Sequence, residues 1–257
     1  LGAVFGPPRL FMKIEAVVVS VNHADFLAHT LPLNLRHFDR MVIVTAPEDR
    51  HTRRVCEAYG VTCKPTDALM SRWGLFVKGA GINEGLRRLD RDQWMVQLDA
   101  DIVLPSHFRD ALETADLDTS MIYGCDRQMF RSYADWMNFF ESPLGQVEDV
   151  LIHPSNSGMP LGARVHHPGH QGYYPLGFLQ LWHADSGITS YIADQTNAAR
   201  DDTHFACQWP RKKRALIPEV VVYHLESEPG DMGANWKGRK TKPFMAHPPA
   251  AEREPIY

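Results

Sequence analysis

The chain has 257 residues, of which 44% are hydrophobic, 10% aromatic and 23% charged. This is the make-up of one large globular domain rather than a disordered, collagen-like or coiled-coil chain. Its 27 Lys and Arg against 31 Asp and Glu leave a net charge of −4, which gives no chain-wide pull on a polyanion. The four cysteines, Cys56, Cys63, Cys125 and Cys207, form no CxxC pair, so neither a zinc knuckle nor a disulfide framework is expected.

In chain order, residues 1–13 read as an N-terminal extension. Residues 15–21 (EAVVVSV) are a continuous β-branched run, the pattern of a strand covered on both faces. Residues 22–38 carry helical spacing interrupted by Pro32, which predicts a helix or a kinked pair. A second buried strand follows at 41–45, a helix at 49–59 ended by Gly60, a short strand at 61–64, and a helix at 78–89. A fourth strand at 94–98 (WMVQL) runs straight into Asp99-Ala100-Asp101. Strands alternating with helices predict parallel βαβ units. In open sheets of that type ligands sit beyond the carboxyl ends of the strands, which points to residues 21–22, 45–46 and 99–101.

Beyond Pro105 the pattern is less regular. Strands are expected at 121–125, 176–182 and 219–224, and a helix within 205–213, with a long Gly-, Pro- and His-bearing stretch at 139–174 and a polar tail after 226. No apolar run near the N-terminus approaches the ~20 residues of a bilayer crossing, so no membrane span is expected and a cytoplasmic setting, bacterial or in a phage-infected cell, is the plainer one.

Three groups of residues bear on chemistry. Asp99 and Asp101 stand at i and i+2 on a strand that is just ending, where both carboxylates can reach one hard cation shared with substrate phosphates. The same pair also suits a solvated turn. His224 closes the strand VVVYH, where it is either a polar terminus or a nitrogen ligand. Asp201-Asp202, in RDDTHF, is either a helix cap or a source of a general base. The cluster His166, His167 and His170 is broken by Pro168 and Gly169 and makes a poor independent metal site. Tyr173, Tyr174, Phe178 and Trp182, with Gly177 among them, are either core or a stacking surface for an acceptor. Residues 230–242 bring Trp236, Lys237 and Arg239 with flexible glycines to what can be a lid over a diphosphate.

This order of strands and motifs, from the first buried strand through KGAGINEGL, WMVQLDAD and RDDTHF to VVVYHL, resembles a glycosyltransferase of the GT-A fold, most similar to the family 2-like enzymes. The resemblance implies a mixed α/β sheet flanked by helices, with a parallel Rossmann-like half over 14–105 that binds a nucleotide-sugar. It implies an acceptor and catalytic half of the same domain over 106–228, and a lid and tail over 229–257. It further implies Mn2+ or Mg2+ at Asp99, Asp101 and His224, with Asp202 as base and Asp201 in place of the usual Glu. The donor would be held by Val19, Val21, Asp49 or Glu48, Lys78, Asn83, Asp99, Trp236 and Arg239, and the acceptor by Tyr174, Gly177, Phe178 and Trp182. The donor would be a nucleotide diphosphate sugar. The acceptor, a glycan, a small molecule or a modified base in phage-type DNA, stays open. A nucleotidyltransferase is the first alternative, although its usual glycine-rich loop is replaced by SVNHADF. A non-catalytic module binding nucleic acid or polysaccharide through 211–214 and 237–242 is the second.

Overall fold

The structure, a computed structural model, describes residues 12–130, 132–141, 166–167, 172–192, 198–225 and 244. Ten strands and six α-helices follow one another along them. The first part runs β1 (Ile14–Val19), α1 (Ala24–Asn34), β2 (Arg40–Thr45), α2 (Arg50–Ala58), β3 (Thr62–Pro65), α3 (Lys78–Leu86) and β4 (Trp94–Asp99). The second runs β5 (Ile102–Val103), α4 (Phe108–Thr114), β6 (Ile122–Phe130), α5 (Tyr133–Glu141), β7 (His166–His167), β8 (Gly172–Tyr173), β9 (Leu179–His183), α6 (Asp201–Ala206) and β10 (Arg214–Leu225). Eight strands form one sheet in the order β3-β2-β1-β4-β9-β6-β10-β5, and β7 pairs with β8 apart from it.

The four N-terminal strands are parallel, with Val17 opposite both Val42 and Gln97. Val17, Val42 and Val96 are wholly buried, each contributing about 1.5–3 kcal/mol by leaving water. Helices on both faces explain why these strands read as unbroken apolar runs. Strand β9 then enters antiparallel between β4 and β6, β6 and β10 are parallel, and β5 is antiparallel at the edge. The sheet is therefore mixed α/β, and strands from both halves of the chain share it.

Several boundaries differ from those the sequence predicts. Helix α1 continues through Pro32, with the Leu35 N–H closing on Leu31 O before a 3-10 turn at Leu35–His37. Strand β6 extends through Asp126-Arg127-Gln128 to Phe130, and β10 spans Arg214–Leu225 with an irregularity between Leu216 and Val221. Helix α6 begins at Asp201 and ends at Ala206, so residues 207–213 do not continue it; Arg211–Lys213 is a separate 3-10 turn. Among the described residues no helix is long and apolar enough to cross a membrane, and the four cysteines are free.

Candidate functional site

A cleft of about 480 Å³ opens at the carboxyl ends of β1, β2 and β4, a size suited to a small-molecule or cofactor site. Its floor is the segment from Asp99 to Asp101, which leaves β4 and crosses to the far edge of the sheet as β5. Helix α1 clamps that crossing. Thr30 Oγ donates to Ala100 O at 2.7 Å, Asn34 Nδ2 donates to Ile102 O at 2.7 Å, and Asn34 Oδ1 accepts from Leu104 N at 2.9 Å. Because β5 pairs with β10, His224 lies opposite Ile102 and Leu225 N donates to Asp101 O at 2.9 Å. The register thereby brings a strand end 123 positions along the chain to Asp101 and leaves His224 Nε2 3.4 Å from Asp101 Oδ2.

The two aspartates of the turn have different partners. Asp99 Oδ1 accepts from Gln97 Nε2 at 2.9 Å and is paired with the Lys78 ammonium. Lys78 also donates to Gly177 O at 3.2 Å. Burial works against the Lys78 charge, but Asp99, with Asp202 and Asp101 behind it, outweighs that and raises its pKa, so Lys78 stands in the cleft as a cation. Asp101 Oδ1, by contrast, is buried without a hydrogen-bond partner. Burial pushes the Asp101 carboxyl up, yet the His224 ring, aided by His23 and Lys78, holds it down to about 2.

These contacts bear on the expected metal. Among the described residues no three His, Cys, Asp or Glu side chains are disposed to share an ion, and the predicted set of Asp99, Asp101 and His224 is corrected accordingly, because Lys78 has taken Asp99. The pair Asp101 and His224 does fit. An ionised carboxylate with a bare buried oxygen beside an imidazole nitrogen offers one hard and one borderline donor, and divalent ions of this kind commonly complete their shell with substrate phosphates and water.

Asp201 and Asp202, at the start of α6, also line the cleft but differ in task. Asp201 is 1% exposed, and its Oδ2 accepts the Gly79 N–H at 2.6 Å, so it caps the first turn of α3 from a distant part of the chain. Asp202 is partly exposed; Oδ2 accepts from Gly177 N at 2.9 Å and Oδ1 from Thr203 N at 2.7 Å. Gly177 must lack a side chain, since a Cβ there would lie 2.8 Å from Asp202 Cβ. Behind them Gln180, wholly buried in β9, donates to Asp202 O at 3.0 Å and Pro175 O at 2.7 Å, and accepts from the Tyr191 hydroxyl. Burial raises the Tyr191 pKa well above its ordinary value, with Asp202, Asp99 and Asp201 adding to it, so the phenol keeps its proton.

Of the residues expected to hold donor or acceptor, Val19, Val21, Lys78, Gly177 and Phe178 line the cleft, and Glu48 rather than Asp49 does so after β2. Asp49 caps α2 through Thr52 N and holds Thr45, the Thr52 hydroxyl and the Asn22 N–H, fixing Asn22 at φ +57°. Asn83 is occupied by both backbone polar groups of Tyr191. Trp182 is sealed in the core against Phe205, and Tyr174 is 4% exposed under the Arg214 guanidinium. These four are corrected from ligand contacts to packing and anchoring residues, outside the lining of the cleft. Trp236, Arg239 and His170 lie outside the described residues, and of His166 and His167 only the backbone pairing with β8 is described.

Several cleft residues have no counterpart among the sequence-derived candidates, and one of them is charged. Arg127, on β6, lies with its guanidinium 4.7 Å from the Phe178 ring centre and 3.0 Å from His224 Nδ1. The run Asp126-Arg127-Gln128 reads as the end of a strand, and only the longer β6 turns alternate members of it to opposite faces.

No family description matches the sequence, and no curated protein does. Solved structures similar to this chain include glucosyl-3-phosphoglycerate synthase from Mycobacterium tuberculosis, 12% identical over 84% of this chain and 71% of that one, with a TM-score of 0.46. That protein has been solved with Mn2+, uridine diphosphate and glucosyl-3-phosphoglycerate. Another is 4-diphosphocytidyl-2C-methyl-D-erythritol synthase from Anaerococcus prevotii, 13% identical over 83% and 89%, TM-score 0.45. A third is the inositol-1-phosphate CTP transferase from T. maritima, 10% identical over 86% and 91%, TM-score 0.46.

Proposed function

We propose that the chain is a transferase that moves a sugar from a nucleoside diphosphate sugar to an acceptor hydroxyl with inversion. The observation that carries this reading is the bare, buried Asp101 Oδ1 beside His224, in a cleft that also holds the Lys78 cation and the Asp202 carboxylate. A site that only bound an apolar ligand would have no use for an ionised oxygen buried without a hydrogen-bond partner.

Val19, Val21, Leu69 and Phe76 form the apolar side of the cleft, which suits a base and ribose, and Glu48 at its rim suits a ribose hydroxyl. Lys78 lies where it can neutralise part of a diphosphate. Asp101 and His224 would hold Mn2+ or Mg2+, which when bound supplies positive charge to the departing diphosphate. Asp202 accepts two backbone N–H groups and keeps lone pairs to take the acceptor proton as the hydroxyl oxygen forms its bond to the anomeric carbon. The bond from that carbon to the diphosphate breaks, and its electron pair leaves with the phosphate.

A thermal-shift panel of UDP-, GDP- and CDP-sugars with and without Mn2+ tests the donor, because a ligand of the folded state raises the melting temperature by mass action. Sugar transfer or donor hydrolysis then tests the chemistry. Full activity in Asp101→Asn and Asp202→Asn would sink the reading, and pyrophosphate release from a nucleoside triphosphate would replace it with nucleotidyl transfer.

A further inference from the structure

An arginine has hydrogens to give and none to receive. The contact between Arg127 Nη1 and His224 Nδ1 at 3.0 Å therefore makes Nδ1 the acceptor and leaves the ring proton of a neutral His224 on Nε2, facing Asp101 Oδ2 at 3.4 Å. A cation held by His224 at that face needs the Nε2 lone pair, and the ring proton must then sit on Nδ1. There it would point at the Arg127 N–H, donor against donor. The arrangement in which Arg127 holds His224 and the arrangement in which His224 holds a metal exclude one another.

Arg127 is placed to change partners. It projects from β6 on the same sheet face as His224, one diagonal step away, since Arg127 is in register with Val222 of the parallel β10. Its guanidinium rests on the face of Phe178 and lines the cleft. A planar guanidinium prefers the two oxygens of a phosphate to a single neutral imidazole nitrogen, because the charge-assisted bidentate contact is the stronger one.

We propose that Arg127 is a positioning residue that couples the diphosphate to the cation: while it holds His224 the cation position is closed, and a diphosphate that draws the guanidinium away frees Nδ1 to take the proton and Nε2 to ligate. This rests on the reading of the cleft as a site for a nucleoside diphosphate and a divalent cation. The coupling expected is about tenfold, within the range usual for linked sites, and it is reciprocal.

Two measurements on the full chain test it, neither of them turnover. In protein with 15N-labelled histidine, kept in EDTA, ring nitrogen shifts report the tautomer, and His224→Gln assigns the signal. The wild type is expected to hold His224 with the proton on Nε2, and both Arg127→Met and addition of UDP, GDP or CDP to the wild type are expected to populate the Nδ1-protonated form. In the second measurement, the electron paramagnetic resonance signal of free Mn2+ follows binding, and Arg127→Met is expected to bind Mn2+ without nucleotide about tenfold more tightly than wild type. A loss of a nearby positive charge alone would also tighten Mn2+ but would leave the tautomer unmoved. A wild-type His224 protonated on Nδ1, or a tautomer that neither Arg127→Met nor nucleotide changes, overturns the coupling and leaves the proposed function standing. Absence of Mn2+ binding in both proteins with any of the three nucleotides present overturns the proposed function and the coupling with it. Should Arg127→Met fail to fold, the wild-type shift on adding nucleotide in EDTA decides the matter alone.

Discussion

Replacing Asp201 separates a residue that builds the cleft from one that reacts in it. Its carboxylate is 1% exposed and accepts the N–H of buried Gly79 at 2.6 Å. Asp201→Ala leaves that N–H buried without this acceptor, at a cost of about 1–3 kcal/mol. It also removes a negative charge from the N-terminal turn of α3, worth about 0.3–1 kcal/mol and up to ~2 in a partly buried setting. The combined loss of about 2–4 kcal/mol corresponds, for a chain of this size, to a fall in melting temperature of roughly 4–16 °C. Asp201→Asn keeps an oxygen acceptor and loses mainly the charge, so its fall is about 1 kcal/mol, or roughly 2–4 °C. Thermal unfolding followed by circular dichroism checks the order: wild type, then Asn, then Ala. Since Lys78 opens the same helical turn, nucleotide-induced stabilisation falls in parallel with melting temperature. An Asp201→Ala protein that melts within a degree or so of the wild type refutes the cap. An Asp201→Asn protein with native stability and no turnover shows that Asp201 reacts directly.

Three further expectations follow from the same geometry. Asp202→Asn lowers sugar transfer by about 10²–10⁴-fold while leaving the nucleotide-induced thermal shift in place; loss of both together argues that Asp202 is structural. Gly177→Ala drives a Cβ to within 2.8 Å of Asp202 Cβ, so it costs about 1–3 kcal/mol of stability by overpacking and lowers kcat more than donor affinity; unchanged melting and kcat would mean the loop yields freely. In metal-free protein the folded Asp101 pKa of about 2 lies below its ordinary 3.8. Its share of stability, about 2 kcal/mol, is therefore full above about pH 4 and is lost as pH falls toward 2. Asp101→Asn flattens that part of a urea-unfolding pH series, and an acid limb identical to that of the wild type refutes the assignment.

The parallel half of the sheet is legible because each of its strands is an apolar run ending at a recognisable break, and local pattern suffices for that. Strand direction is not local. The run LQLWH has the same composition whether β9 enters parallel or antiparallel, and only its pairing with β4 and β6 decides. Asp101 and His224 are legible as polar residues at strand ends, but the Lys78 pairing that engages Asp99 spans 21 residues and depends on how α3 packs. Trp182 and Tyr174 look like stacking surfaces because aromatic rings read alike in a core and in a cleft; burial separates them. Gln97 and Gln180 carry a signal that is easy to pass over. Each is a lone amide within an apolar strand, and they stand in register with one another beneath the cleft, the first on Asp99 and the second on the Asp202 carbonyl.

Helix α1 touches the chemistry without contributing to the lining of the cleft. Near its start Asp25 accepts the Phe244 N–H at 2.6 Å, and Phe26 stacks on the Phe244 ring at 4.7 Å. About one and two turns later Thr30 and Asn34 grip the carbonyls on either side of Asp101. One stiff rod thus has the last described residue of the chain at one end and the backbone on either side of Asp101 at the other. Undocking Phe244 loosens the helix at its root, and the aspartate shifts with it although no atom near the aspartate has been changed.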